Sequence, residues 1–146
     1  MNENRNKQCA EKAPLWVKLL YAAARVEARF EAALADPGLS LAKFAVLDHL
    51  VKAGEPLPLT RLAERVACVK SNITQLVDRL EADGLVKRVD DPEDRRSVLA
   101  TITDEGRRRH ESGGRALAAA EQGLFKSFKE EELELLNTFL ARFTTD

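Results

Sequence analysis

Apolar side chains recur at Trp16, Leu19, Leu20, Ala23, Val26, Phe30, Ala33 and Leu34, the three-to-four spacing of one helical face, with Pro14 suited to a first helical position. Asp36, Pro37 and Gly38 stop that helix. Ser40 is placed to cap a second, whose face is Leu41, Phe44, Leu47, Leu50 and Val51 and which Gly54, Pro56 and Pro58 end. A short helix over 58–66 turns Leu59, Leu62, Ala63 and Val66 inward. After a turn, a longer one from 69 or 70 to 83 buries Ile73, Leu76, Val77 and Leu80.

The period then changes. Gly84 lets the chain reverse, and residues 85–89 and 97–102 are two β-rich runs around the polar breaker 90–96. Thr103, followed by Asp104 and Glu105, caps a helix expected to reach about Phe128, with Gly113, Gly114 and Gly123 weakening its interior. The last helix starts acid-first at Glu130 and lines up Leu133, Leu136, Phe139, Leu140 and Phe143. The order predicts a mainly α chain with a small β-hairpin wing: a winged helix-turn-helix over 40–103 within a single chain 1–146, flanked by helical regions 14–36 and 104–144. Those flanking stripes exceed what a small winged core needs to cover, so they predict a two-fold homodimer; the alternative is that they wrap their own winged unit.

Composition works mainly by exclusion. With 146 residues, 45 % of them hydrophobic, the chain can bury one sizeable core. No apolar run reaches the roughly 18 to 20 residues that cross a bilayer, and the first residues lack an apolar signal region, so a cytoplasmic protein without membrane contact is expected. Cys9 and Cys68 are too few for a disulfide scaffold and lack zinc-ligand spacing with His49 and His110, so neither metal nor cofactor is expected. No phosphate-binding glycine loop and no nucleophile paired with a base suggests an enzyme. With 23 basic against 24 acidic residues, any affinity for a polyanion has to come from local placement.

That placement lies on the second motif helix, where Lys70, Ser71, Asn72, Thr74, Gln75, Asp78 and Arg79 face away from the core. In a helix-turn-helix the start of this face meets base edges in the major groove. Lys70 reaches guanine acceptors or phosphate, Asn72 and Gln75 have the donor and acceptor that adenine requires, and Ser71 and Thr74 donate to phosphate oxygens. Arg95 and Arg96 lie at the far end of the hairpin turn, where an arginine enters a narrow minor groove, held in direction by a nearby carboxylate. The plainer alternatives are a solvated helix face and turn, or a winged-helix module that binds protein.

The blocks V-D-R-L-E-A-D-G-L-V-K-R at 77–88, D-P-E-D-R-R-S at 91–97 and T-D-E-G at 103–106 resemble the multiple antibiotic resistance regulators, the MarR family. The resemblance covers nearly the whole chain. It implies a dimer with interlocked terminal helices on double-stranded DNA with a palindromic operator. Ser71, Asn72, Thr74 and Gln75 would then be groove or phosphate residues, Arg96 the wing arginine, Asp94 its orienting partner and Arg95 a phosphate contact. It further implies a repressor released by a small phenolic or lipophilic effector, or by cysteine oxidation. For the effector the candidate lining residues are Trp16, Leu20, Phe44, Leu47 and His49; for a thiol sensor they are Cys68, in the motif turn, and Cys9. Two positions depart from the family pattern: Ala67 stands where Gly is frequent, and Val69 where Ser or Thr caps the helix. Val69 accepts no hydrogen bond, a loss of about 1 kcal/mol that a displaced cap at Ser71 would offset.

Overall fold

The computed structural model describes residues 13–66, 72–94 and 96–144. In chain order these form α1 (Leu15–Ala35), α2 (Leu41–Ala53), β1 (Leu57–Pro58), α3 (Leu59–Arg65), α4 (Ile73–Ala82), β2 (Val86–Asp90), β3 (Val98–Ile102), α5 (Asp104–Phe125) and α6 (Glu130–Thr144). The expected mainly α chain with a hairpin wing is what forms. The expected readings at Cys9, Ala67, Cys68, Val69, Lys70, Ser71 and Arg95 lie outside the described residues.

Ser40 caps α2 as expected. Ser40 Oγ accepts from the Lys43 amide at 3.2 Å. Pro14, placed inside α1 by the sequence reading, precedes it as the cap residue, and α5 stops at Phe125 rather than Phe128. A third strand was not foreseen: β1 pairs antiparallel with β3, Leu57 opposite Ala100 and Pro58 opposite Leu99, giving the sheet order β1-β3-β2. Two residues are too short for an alternating pattern, and the edge position tolerates the amide that Pro58 lacks.

One core unites α2, α3, α4 and the sheet. Leu47, Leu50, Leu62, Val77, Leu80, Leu85 and Ala100 are buried, with Leu34 reaching in from the end of α1. Ala63, expected inward, is exposed, because the seven-residue α3 offers only a narrow buried strip around Leu62. Gly113 lets α5 cross close to this core: a Cβ there would lie 3.0 Å from Phe44 Cδ2 and 3.1 Å from Leu39 Cδ1. Phe44 stacks on His110 of α5, centroids 4.9 Å apart, and His110 Nε2 lies 3.1 Å from Asp48 Oδ1. Burial alone would raise the Asp48 carboxyl pKa; bonds from Lys52 and His110 outweigh it and leave it lowered.

The flanking helices end differently. On α1, Leu15, Trp16, Leu19, Leu20, Tyr21 and Val26 are exposed, and on α6 so are Leu135, Phe139, Leu140 and Phe143. Among the described residues no helix is long and apolar enough to cross a membrane.

Candidate nucleic-acid interface

The segment that connects α4 to α5 is held by backbone and side-chain bonds that run through the same few residues. Gly84, at φ 72°, reverses the chain at the end of α4; its amide donates to Glu81 O at 2.9 Å and the Leu85 amide to Leu80 O at 2.9 Å. Leu85 then drops fully into the core. At the other end of the hairpin, Thr103 Oγ1 donates to Gly84 O at 2.7 Å and accepts from the Gly106 amide at 3.0 Å, while the Thr103 amide donates to Leu85 O at 3.0 Å. The hairpin therefore leaves and rejoins the helices at one point, and its register follows: Arg88 lies opposite Ala100 and Asp90 opposite Val98.

At the tip, Asp91 Oδ1 accepts from the Glu93 amide at 2.9 Å, Asp94 Oδ1 from the Arg96 amide at 2.9 Å, and Asp94 O from the Ser97 amide at 2.9 Å. Asp94 thus meets the Arg96 backbone amide and not, as expected from the sequence, its guanidinium. Two residues of separation suit a carboxylate to the amide of its own turn. Arg96 is exposed, and among the described residues no ion pair engages it.

On α4, Leu76, Val77 and Leu80 face the core, and Asn72, Thr74, Gln75, Asp78 and Arg79 face solvent. Helix α4 begins at Ile73, later than expected, and its cap is Asn72: Oδ1 accepts from the Thr74 amide at 3.1 Å and the Gln75 amide at 3.4 Å. This cap is one residue beyond the displaced cap expected at Ser71. Reading adenine with two bonds needs both amide atoms, so in this geometry Asn72 offers a groove only Nδ2, while Gln75 keeps both. Replacing Asn72 by Ala is expected to cost about 1 kcal/mol, a fall of roughly 2–4 °C in thermal midpoint. Asn72→Ser should melt like the parent; calorimetry on the two variants tests the cap.

Two ion-pair groups fix α4 against its surroundings, and sequence reasoning assigned neither. Lys43 Nζ of α2 lies 2.6 Å from Asp83 Oδ2 at the end of α4. From β2, the Arg88 guanidinium reaches both Asp78 and Glu81, at 2.5 Å each, and its amide donates to Glu81 Oε1 at 3.2 Å. Bonding to Asp78, with Glu81 adding to it against some loss of hydration, raises the Arg88 pKa further above its already high value. The available signal was acids three apart on an outward helix edge, followed by an arginine on the next strand.

The candidate effector residues differ in their surroundings within the chain. Leu47 is fully buried, Phe44 is stacked on His110, His49 Nε2 lies 3.2 Å from Arg65 O, and Trp16 and Leu20 are 66 % and 63 % exposed on α1.

Comparison with known proteins agrees with this geometry. The MarR family profile matches residues 39–98. The helix-turn-helix regulator MhqR of Bacillus subtilis (strain 168) is 32 % identical over 72 % of this chain and 72 % of its own length. The regulator YkoM of the same organism is 41 % identical over 49 % of this chain, and that match spans 46 % of YkoM. Among solved structures, the repressor CouR bound to a 23-mer DNA duplex superposes with a TM-score of 0.79 at 29 % identity, covering 90 % of this chain and 92 % of CouR. CouR from Rhodococcus jostii RHA1 bound to p-coumaroyl-CoA superposes at 0.70 with 28 % identity, covering 87 % of this chain and 89 % of that one.

Proposed function

Because the chain belongs to the MarR family, whose members are transcription regulators and not enzymes, we propose that it is a homodimeric repressor that binds a palindromic operator and leaves it when an effector binds. The observation that carries the DNA reading is the pairing of an unpacked polar edge on α4 with a hairpin whose stiffened turn presents Arg96. In this reading Thr74, Gln75 and Arg79, with Lys70 and Ser71, meet bases and phosphates of the major groove, and Asn72 contributes through Nδ2. Arg96, supported by Arg95, enters the minor groove.

Residues 40–103 are the reading unit, and 14–36 with 104–144 are the dimerisation region. Supporting this, the exposed apolar side chains of the described residues gather on α1 and α6, with Leu15 81 % and Phe143 70 % exposed. A second copy of the same surface covers both at once. Phe139→Glu is expected to yield monomers and to weaken operator binding by about 10²-fold, since two half-sites are then no longer bound together; sedimentation velocity and fluorescence anisotropy on one sample measure both.

The effector is proposed to be a small phenolic or lipophilic compound, a reading that draws on CouR being bound to p-coumaroyl-CoA. Trp16 and Leu20 become walls of a cavity beside Phe44 and His49 once the partner closes over α1. The test is anisotropy on duplex DNA from upstream of the chain's own gene, with hydroxycinnamates and their CoA thioesters added. Saturable binding that one of these compounds reverses supports the reading. Absence of binding at low salt overturns it.

A further inference from the structure

Helix α4 brings two carboxylates to the interface, Asp78 and Glu81, one turn apart and both exposed. On a surface that approaches phosphates such groups are repelled. Neither stands alone, however. Arg88 Nη2 lies 2.5 Å from Asp78 Oδ1, Nη1 lies 2.5 Å from Glu81 Oε2, and the Arg88 amide holds the remaining Glu81 oxygen at 3.2 Å. The strand register puts Arg88 opposite the buried Ala100, so the base of its side chain is fixed by the sheet, and the arm is only 25 % exposed.

The geometry points to Arg88 as a positioning residue for DNA binding that spans from the wing to α4 and screens both acids from the phosphates. An arginine meant for phosphate keeps its donors free, as Arg79 and Arg96 do among the described residues. Both arms of the Arg88 fork are already occupied by carboxylates. The inference rests on the DNA-binding reading, and the experiment separates the two.

The experiment is a mutant cycle on the full chain, read by anisotropy on labelled duplex from upstream of its own gene and on an unrelated duplex of equal length, with thermal melting as the check on folding. Arg88→Gln is expected to lower affinity about tenfold, the scale of one or two ionic contacts. In the Asp78→Asn, Glu81→Gln background, where no charge is left to screen, the same change should cost less than about twofold. An equal loss in both backgrounds would mean that Arg88 meets DNA itself, and no loss in the parent would mean that it does nothing there; either overturns the inference. Should Arg88→Gln not fold, the paired Asn and Gln variant with Arg88 intact decides. Binding within about twofold of the parent supports the inference, and tightening of about tenfold, from an arginine released to phosphate, overturns it. Failure of the parent protein to bind either duplex removes the DNA reading and this inference together, whereas parent binding with a failed cycle removes only the inference.

Discussion

Replacing Arg96 by Ala is expected to weaken operator binding by about 10²-fold or more, because the proposed dimer would lose two arginines at once and each well-placed contact contributes about 1–3 kcal/mol. The slope of log K against log salt should fall as well, by up to about one unit for each cation withdrawn from the duplex. Asp94→Ala makes the contrast. It removes the bond that holds the Arg96 amide at 2.9 Å but leaves the guanidinium charge in place. Its loss of affinity should therefore be smaller and its salt slope unchanged. Anisotropy titrations at several salt concentrations measure both quantities, and an Arg96→Ala protein that binds like the parent would show that the wing does not touch DNA.

The second large effect concerns folding. Gly106 looks at first like a weak point in the opening turn of α5, where Ala would favour the helix by about 1 kcal/mol. The tertiary structure reverses that expectation. A Cβ at Gly106 would fall inside contact distance of the Leu85 carbonyl oxygen and 2.8 Å from Ile102 Cγ1. That oxygen is backbone, already bonded to the Thr103 amide, and cannot swing aside. Gly106→Ala should cost about 3 kcal/mol or more, the upper end of overpacking, which lowers the thermal midpoint by roughly 6–12 °C. Gly114 provides the control, since a Cβ there meets nothing within 4 Å; Gly114→Ala should melt at or above the parent. Equal midpoints for the two variants would show that the junction between hairpin and α5 yields.

The same close approach joins Gly84 and Leu85 to Thr103 and Gly106. Gly84 turns the chain, Leu85 enters the core, Thr103 ties its hydroxyl to Gly84 O, and Gly106 leaves room for Leu85 O. These bonds join the wing to α4, and with it the two surfaces proposed to enter neighbouring grooves.

Much of this was legible in the chain because its causes are local. Helical periodicity placed Leu76, Val77 and Leu80 inward, Ser40 and Thr103 were recognisable caps, and the breaker between two β-rich runs marked the hairpin. Such features depend on neighbours a few residues away, which a sequence displays directly. What only the tertiary structure decided depends on groups brought together from afar or on a choice among equivalent neighbours. Asn72 caps α4, one residue beyond the cap expected at Ser71, since both residues offer a side-chain oxygen and the local pattern does not rank them. Ala63 stays outside because α3 meets the core along a narrow strip. Arg88 joins Asp78 and Glu81, and Lys43 joins Asp83 from forty residues away. A long charged side chain has many reachable partners in an unfolded chain, and the sequence cannot rank them until the sheet and the core have fixed where each arm begins.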